Sequence, residues 1–271
     1  MNTHLINEIR KKTVDKNPLI HCITNPISIN QSANGILAVG ARPMMAEHPL
    51  EVAEITRSAD GLVLNLANIT DARMQSIKIS AQTAQNNNIP FIMDAVGVAC
   101  SVLRRNFTYD FLKEYQPTAI KGNYSEIYAL SDSTYNSAGV DADEALSIDK
   151  VSKTSVKLAQ KYNTMVLASG KTDIITDGKT VVYINNGVPH LAQITGTGCL
   201  LGMLCGCYLS VDQSINALIT ACAVLGICGE LSQTEKGNGT FFVNLMDNLS
   251  VLKAEQIEKL LKIEVKTNEE F

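Results

Sequence analysis

A glycine-rich turn ahead of an uncharged stretch is the part of this chain best suited to chemistry. The turn is Ile194-Thr195-Gly196-Thr197-Gly198-Cys199, and residues 200–209 after it carry no charge. Gly196 and Gly198 can adopt backbone angles that are closed to other residues, and the uncharged run predicts a buried helix. The first N–H groups of such a helix point outward and form an anion site. This arrangement suggests phosphate chemistry.

Cys199 stands where that helix begins. The positive end of a helix dipole favours a thiolate at this position, so Cys199 is the candidate ionisable group of the turn. Neither the turn nor the helix contains a lysine, which argues against a Walker-type P-loop. The charge that neutralises a bound phosphate must therefore come from another part of the chain.

Two apolar runs elsewhere in the chain end in charged side chains. Asp94 ends one run, and Lys121 ends another, with Glu126 five residues later. The carboxyl ends of strands are where α/β folds bind ligands, and a buried carboxylate is costly unless it is hydrogen-bonded or holds a cation. Each site has a simpler alternative. Asp94 can cap the next turn, and Asn123 with Glu126 can form a capping box that needs no ligand.

The elements that must position these residues alternate between short apolar runs and helix-like stretches. Runs of four to six residues that end in polar or glycine-rich turns predict a parallel sheet buried on both faces, within an α/β fold. The predicted strands are Leu19–Thr24, Pro43–Ala46, Gly61–Leu66, Pro90–Asp94, Thr118–Lys121 and Thr164–Ser169. The predicted helices between them are Ile29–Val39, Glu51–Ala59, Asp71–Asn87 and Ile148–Tyr162.

The pattern changes after Ser169. Asp173–Thr176 and Thr180–Ile184, joined by a tight turn, predict an antiparallel ribbon. Residues 264–271 predict a solvated tail. Because no repeat, low-complexity tract or linker is visible, we expect one domain over residues 1–271. Two apolar helices, a further segment and a charged helix are expected at residues 198–209, 213–231, 241–248 and 254–263.

Composition excludes several classes of partner. The net charge of −4 and the absence of a basic block argue against nucleic acid and anionic membranes. The apolar pieces are about a dozen residues long, whereas a membrane-spanning helix needs roughly 20. Seven cysteines form no pairwise metal spacing, and the N-terminus does not resemble a signal peptide. We therefore expect a cytoplasmic protein with free thiols.

The motifs also occur in an informative order over about residues 15–260. In chain order they are Ile23-Thr24-Asn25, Ala33-Asn34-Gly35, Gly40-Ala41, Pro43-Met44-Met45-Ala46, Leu64-Asn65, Asp94-Ala95-Val96-Gly97, Lys121-Gly122-Asn123 with Glu126, Ser169-Gly170 and the turn 194–199. This set resembles the hydroxyethylthiazole kinase family of the ribokinase-like superfamily. The resemblance implies a three-layer α/β/α fold, in which helices flank a mostly parallel central sheet on both faces.

The resemblance further implies an activity. Members of this family phosphorylate the primary alcohol of 4-methyl-5-(2-hydroxyethyl)thiazole with ATP and Mg²⁺, a step of thiamine salvage, and form homotrimers with active sites between subunits. By matching position, Met45 and Gly196 would contact the thiazole, with Asn25 nearby. Lys121 and Ser169 would hold ATP. Lys121 stands where the family often has arginine, so the charge is kept and the bidentate fork is lost.

The same matching assigns the metal and the transferred group. Asp94 and Glu126 would organise Mg²⁺ and its water molecules. The backbone amides of Gly196, Thr197 and Gly198 would form an anion hole for the phosphoryl group in transfer. Asp94 is followed by alanine, whereas the family usually has proline there.

Cys199 occupies the place where most of the superfamily has an aspartate as general base. Phosphoryl transfer depends mostly on positioning and charge stabilisation, so a base contributes modestly, and we expect at most about 10²-fold from Cys199. The alternative is a thiol that only packs the turn.

Two other interpretations remain open. One is a different ribokinase-like kinase that acts on hydroxymethylpyrimidine, a sugar or a nucleoside, although Cys199 disfavours it because those enzymes normally keep the aspartate. The other is a nucleotide-binding thiol sensor without catalysis. A dinucleotide-binding oxidoreductase is disfavoured, since the turn lacks the third glycine of that fingerprint.

Overall fold

The computed structural model describes residues 3–132, 134–135 and 146–267, which are built around a nine-stranded sheet. The strands are β1 (Leu19–Ile23), β2 (Arg42–Met44), β3 (Gly61–Asn65), β4 (Phe91–Asp94), β5 (Ala119–Asn123), β6 (Met165–Ser169), β7 (Asp173–Thr176), β8 (Thr180–Ile184) and β9 (Ile263–Thr267). The helices are α1 (Thr3–Lys16), α2 (Ile29–Ala38), α3 (Val52–Ser58), α4 (Asp71–Asn86), α5 (Val102–Glu114), α6 (Tyr124–Ala129), α7 (Ile148–Tyr162), α8 (Thr197–Leu209), α9 (Ile215–Leu231), α10 (Asn238–Val251) and α11 (Ala254–Leu260), with a 3₁₀ turn at Pro189–Gln193.

The strand order across the sheet is β2-β1-β3-β4-β5-β6-β7-β8-β9. The pairings from β2 across to β6 are all parallel. The ribbon β7–β8 and the last strand β9 add antiparallel pairings at one edge. The mostly parallel sheet expected from the short apolar runs is therefore confirmed, and so is the antiparallel ribbon after β6.

Helices cover both faces of this sheet. On one face, α1, α2 and α8 to α11 enclose an apolar core that includes Val63, Ile92 and Leu167 of the strands. On the other face, α3 to α7 enclose a second core with Leu64 and Met93. Adjacent strand residues such as Val63 and Leu64 fall in opposite cores because side chains alternate across a strand. The three-layer α/β/α prediction is confirmed.

The order in which strands are added to the sheet reverses between β1 and β3. β2 lies on one side of β1, whereas β3, β4, β5 and β6 follow in order on its other side. Such a switch point opens a crevice at the carboxyl ends of the strands, which is where open α/β sheets bind ligands. Helix α8 packs over β3 and β4 beside this crevice.

Helix α8 lies unusually close to the sheet. An alanine methyl at Gly206 would stand 2.3 Å from Cγ2 of Val63 on β3. The helix carries no charged residue, and eleven of its thirteen residues are buried, which explains the uncharged run that follows the glycine-rich turn. This close packing fixes the height of the helix N-terminus above the strand ends.

The structure overturns one expectation for the C-terminus. Residues 263–267 form β9 rather than the end of a helix and a solvated tail, and Val265 pairs with Val182 of β8. The charged residues around Val265 led to the prediction of a solvated tail. An edge strand can nevertheless expose charged side chains, because its backbone N–H and C=O groups are paired with the neighbouring strand. Residues 268–271, also assigned to the tail, lie outside the described residues.

Other differences concern element boundaries. β5 continues to Asn123, two residues past its predicted end, and α10 begins at Asn238 rather than at Phe241. The sequence interpretation also missed α1, which buries Ile6, Ile9 and Thr13 along one side.

Within the described part of the chain, no helix combines the length and apolar character needed to cross a membrane.

The close approach of α8 predicts a steric cost for Gly206→Ala. Because the added methyl would overlap Val63 in a closed core, the free energy of unfolding should fall by about 1–3 kcal/mol. Urea unfolding at fixed protein concentration measures this change. Gly239→Ala in α10 is the matched control, since its methyl meets nothing within 4 Å. Equal stability of the two variants would contradict the packing argument.

Candidate active site

Three polar side chains stand in one row across the sheet, below the N-terminus of α8. Asn65 ends β3 and is aligned with Asp94 of β4, which is aligned with Lys121 of β5. Two-residue periodicity places all three on the face that packs against α8, because Val63 and Ile92 precede them by two residues on that face. We call Asn65, Asp94 and Lys121 the polar row. Each is at most 3% exposed.

Hydrogen bonds join the members of the polar row. Lys121 Nζ donates to both carboxylate oxygens of Asp94, at 3.1 Å each. Asn65 Nδ2 donates to Asp94 Oδ2 at 3.0 Å. The carboxylate of Asp94 is therefore surrounded by donors, which is the condition under which a buried charge is tolerated. The alternative that Asp94 only caps the next turn does not describe its contacts.

Burial and ion pairing oppose each other in this row. Burial by itself lowers the pKa of Lys121, but the carboxylates of Asp94 and Glu126 outweigh burial and raise that pKa above its ordinary value. Burial raises the pKa of Asp94, while Lys121 and Asn65 act to lower it. Lys121 is thus a fixed positive charge inside the protein, close to the strand ends.

Glu126 lies in the first turn of α6 and accepts two backbone hydrogen bonds. Its Oε2 accepts from Asn123 N and its Oε1 from Gly97 N, both at 2.7 Å. Asn123 Oδ1 in turn accepts from Glu126 N, so the capping box is confirmed. Burial raises the pKa of Glu126 to about 7, and Lys121 works against that rise. Glu126 therefore joins the loop after β4 to the end of β5.

The glycine-rich turn ends in a left-handed residue that starts α8. Gly196 has φ of +88°, and an added methyl would collide with Gln31 of α2. The Gln31 amide donates to Thr195 O at 2.5 Å, which ties the turn to α2. The hydroxyl of Thr197 donates back to Leu191 O at 2.8 Å. Side-chain contacts thus hold the turn from both sides, and the backbone N–H of Thr197 donates to Ile194 O at 3.4 Å within the turn.

The N-terminus of α8 opens directly above Lys121. Leu200 N closes the first helical turn on Gly196 O at 2.8 Å. The N–H groups of Gly198 and Cys199 precede that bond and have no intrahelical acceptor, as in any first turn. A methyl placed on Gly198 would lie 3.7 Å from Lys121 Nζ. β5 therefore brings a cation close to the turn, which has none of its own.

Cys199 is partly exposed and receives two amide donors. Asn25 Nδ2 and Asn65 Nδ2 each lie 3.4 Å from Cys199 Sγ. Asn25 follows β1 and Asn65 ends β3, so both donors come from the strands that flank the switch point. The thiol thus stands over the crevice with its sulfur held from below.

The remaining candidates lie on either side of this centre. Met45 follows β2 and is half-buried. The loop after it is held by the buried His21, whose Nε2 donates to Ala46 O at 3.0 Å. Burial lowers the pKa of His21, which favours the neutral ring. Ser169 ends β6 on the opposite side, and its hydroxyl donates to Gly122 O at 3.3 Å.

The structure brings nearly all predicted residues to one edge of the sheet. Asn25, Asp94, Lys121 and Cys199 form one hydrogen-bonded cluster together with Asn65. Glu126 lies close enough to interact electrostatically with Lys121. Asn65 belongs to one of the sequence motifs, but the sequence analysis assigned no role to it. Its position could have indicated one, since Asn65 ends an apolar run in the same way as Asp94.

The sequence matches a known protein family over most of its length. The model of the family described as "HK: Hydroxyethylthiazole kinase family" matches residues 10–255. The chain belongs to the hydroxyethylthiazole kinase family. The family resemblance drawn from the motifs is therefore confirmed, and the match covers the whole of the site described above.

Individual relatives agree with this assignment. Hydroxyethylthiazole kinase 2 of Clostridium botulinum is 44% identical over 261 residues, covering 94% of this chain and 98% of the relative. Hydroxyethylthiazole kinase of Finegoldia magna is 44% identical, with 94% of each chain covered. The solved structure of a hydroxyethylthiazole kinase protein from Pyrococcus horikoshii OT3 superposes with a TM-score of 0.88 at 28% identity, covering 97% of this chain and 99% of that one.

A more distant neighbour is similar in fold alone. Pyridoxal kinase from Staphylococcus aureus in complex with ADP gives a TM-score of 0.65 at 16% identity, covering 92% of this chain and 98% of that chain. The Pyrococcus horikoshii protein, by contrast, resembles this chain in sequence as well as in fold, and its TM-score is higher.

The buried ion pair predicts the behaviour of Lys121→Met. Asp94 would remain buried without its cation, which should cost about 3–5 kcal/mol in the free energy of unfolding near neutral pH. The folded variant would keep a proton on Asp94 that the unfolded chain releases. Its stability should therefore fall as pH rises above about 4, and the deficit should be larger near pH 8 than near pH 5.

Urea unfolding at the two pH values measures the effect. The double variant Lys121→Met/Asp94→Asn removes both charges and should recover much of the loss. A double variant no more stable than Lys121→Met would show that the unpaired carboxylate is not the cause.

Proposed function

We propose that this protein transfers the γ-phosphoryl group of ATP to the primary hydroxyl of 4-methyl-5-(2-hydroxyethyl)thiazole, as in thiamine salvage. The observation that carries the proposal is the position of Cys199. This residue lies at the α8 N-terminus, where the turn of the matched family meets the polar row. Family membership supports the choice of substrates, and the arrangement of the crevice supports their proposed positions.

The candidate residues follow one another along the sheet edge in an order that suits the reaction. The thiazole would lie at the β1–β2 end, in contact with Met45 and Gly196 and near Asn25. ATP would lie at the β5–β6 end, held by Lys121 and Ser169. The transferring phosphoryl group would then pass between them, over the centre of the crevice at the N-terminus of α8.

Two sources of positive potential converge on that central position. We assign the anion hole to the backbone N–H groups of Gly196 and Gly198, and the dipole of α8 adds to them. The N–H of Thr197, also predicted for this hole, already donates to Ile194 O at 3.4 Å. Lys121 contributes a full charge from below. Phosphoryl transfer is catalysed mainly by positioning and charge stabilisation, so these groups carry most of the proposed rate enhancement.

Asp94 and Glu126 are the residues we assign to Mg²⁺. Carboxylates fit this hard cation, which usually keeps several water molecules and binds nucleotide phosphates. The oxygens of Glu126 already accept two backbone N–H groups and those of Asp94 accept from Lys121 and Asn65. The two carboxylates therefore fit binding to the water molecules of the ion. When bound, Mg²⁺ would offset the negative charge of the phosphates.

Cys199 is assigned to receive the proton of the substrate hydroxyl. The sulfur stands at the α8 N-terminus, the same position from which the amides address the phosphoryl group. Because proton removal is late in this reaction, we assign it a modest share of the catalysis. The contacts from Asn25 and Asn65 leave the exposed side of the sulfur facing the crevice.

We also propose a homotrimer with active sites between subunits. The edge strand β2 and the turns beside it expose Ile27, Met44 and Leu50, which are 69%, 38% and 91% exposed. An exposed apolar patch next to a free sheet edge is typical of an interaction surface. It adjoins Met45, so a neighbouring subunit there would close the thiazole end of the crevice.

We propose a cytoplasmic location on the basis of the thiols. All seven cysteines are free, and five of them are buried. Free cysteines in such number fit a reducing compartment.

The direct test is incubation of the pure protein with Mg-ATP and a panel of small alcohols. The panel includes the thiazole alcohol, hydroxymethylpyrimidine and a sugar, and mass spectrometry identifies the product. The thiazole phosphate ester is the expected product. Phosphorylation of another alcohol only, or nucleotide binding without turnover, would instead support one of the two alternatives considered from the sequence.

Substitutions at Cys199 test its modest role. Cys199→Ala should lower kcat by about 10²-fold at most, and Cys199→Asp should remain active because a carboxylate can also accept the proton. Steady-state kinetics with the thiazole alcohol gives both values. Loss of all activity in both variants, with folding and ATP binding intact, would exclude this role.

Charge placed on the exposed patch tests the trimer. Leu50→Asp should shift the protein from trimer to smaller species and weaken thiazole phosphorylation, because a charge is costly inside an apolar interface. Light scattering after size-exclusion chromatography measures the mass. Val251→Asp, at a 63% exposed position in α10, is the control and should leave the mass unchanged. A wild-type monomer would refute the assignment.

A further inference from the structure

Asn65 makes more contacts than a residue that merely ends a strand. Its Oδ1 accepts from Ala67 N at 2.9 Å and from Asn25 Nδ2 at 3.3 Å. Its Nδ2 donates to Asp94 Oδ2 at 3.0 Å and to Cys199 Sγ at 3.4 Å. The side chain is 1% exposed, so no exchange with bulk water competes for these bonds.

The orientation of this amide is fixed by its partners. A flipped amide would point its NH₂ group at the N–H of Ala67 and at the NH₂ group of Asn25, leaving donors opposed to donors. It would also turn the carbonyl oxygen towards the carboxylate of Asp94. Only the observed orientation pairs every donor with an acceptor, so an N–H of Asn65 is directed at Cys199 Sγ.

Counting protons separates the two donors to the sulfur. The NH₂ group of Asn65 has two hydrogens and two acceptors, so one hydrogen is available for Cys199 alone. The NH₂ group of Asn25 has three acceptors within reach, namely Ser28 Oγ at 2.9 Å, Asn65 Oδ1 and Cys199 Sγ. Asn25 therefore shares its hydrogens, and Asn65 provides the dedicated bond.

We infer that Asn65 is a positioning residue that holds Cys199 Sγ over the crevice and favours the thiolate form of the sulfur. A hydrogen bond donated to a sulfur stabilises its negative form over the neutral thiol. Lys121 interacts electrostatically with Cys199, and Asn65 bonds directly to Asp94, the partner of Lys121. The inference rests on the proposed function, because it gives Cys199 a reason to be held in this state.

The test measures the reactivity of Cys199 without any turnover. Iodoacetamide alkylates thiolates, and peptide mass spectrometry gives the rate at each cysteine as a function of pH. Asn65→Ala removes the donor. Asn65→Asp keeps the size and the acceptor oxygen of the side chain but, when ionised, offers no donor. Cys100, which is exposed and far along the chain from Cys199, is the internal control in the same molecule.

Loss of the donor should slow alkylation of Cys199 about tenfold near pH 7 and raise the pH of half-maximal alkylation by about one unit. Asn65→Asp should shift this pH at least as far, since it adds negative charge. The rate at Cys100 should not change. Cys199 profiles that coincide with wild type in whichever of the two variants remains folded would overturn the inference.

A second control addresses general destabilisation. Asn186 is 6% exposed and donates to Glu230 Oε1 and Leu260 O, none of which belongs to the cluster around Cys199. Asn186→Ala should reduce stability and leave the Cys199 profile unchanged. An equal shift in Asn186→Ala would attribute the effect to loosening of the whole protein and overturn the inference.

Steady-state kinetics then distinguishes an effect of Asn65 through Cys199 from an effect through Asp94. If Asn65 acts through the sulfur, Asn65→Ala should lower kcat by a smaller factor in the Cys199→Ala background than in wild type. An equal factor in both backgrounds would place its effect on Asp94 and contradict the inference. A wild-type protein without kinase activity would refute the proposed function, yet the alkylation profiles would still decide the role of Asn65.

Discussion

The buried ion pair of Asp94 and Lys121 is the interaction on which the geometry of the crevice depends. Neither charge could remain inside the protein without the other, because transfer of a lone ion from water costs several kcal/mol even after relaxation. The pair forms only if β4 and β5 keep their register. Helix α8 packs close above it, since a methyl added at Gly202 would stand 3.1 Å from Asp94 Oδ2. The register of β4 and β5, the distance of α8 from the sheet and the position of the Lys121 ammonium group therefore depend on one another.

This pair also gives the crevice its polarity. The first-turn amides of α8 and the Nζ of Lys121 lie on opposite sides of the same space, and the Lys121–Asp94 pair is buried. Electrostatic interactions in such a place are screened far less than on the surface. The carboxylates of Asp94 and Glu126 stand next to the cation. The same site can therefore attract a phosphate and a divalent metal ion without an exposed cluster of like charges.

Hydrogen bonds between side chains tie the segments of the crevice together. Asn65 links the ion pair to Cys199, and Asn25 links Cys199 to the turn after β1. Glu126 links the loop after β4 to the start of α6. Apart from the local capping bond between Glu126 and Asn123, these bonds join segments that are distant in sequence, so the crevice is held mainly by tertiary contacts. Preorganisation of this kind lets polar groups meet developing charge without moving.

The sequence by itself determined the α/β class, most strands to within two residues, the family and the glycine-rich helix start, because apolar periodicity, turn residues and capping are local properties. It also indicated that Asp94 and Lys121 end strands. Only the tertiary structure decided that the two form an ion pair, that Asn65 completes their row and directs a donor at Cys199, and that residues 263–267 pair with β8. Strand order, register and edge pairing depend on contacts between distant segments, which local patterns do not encode.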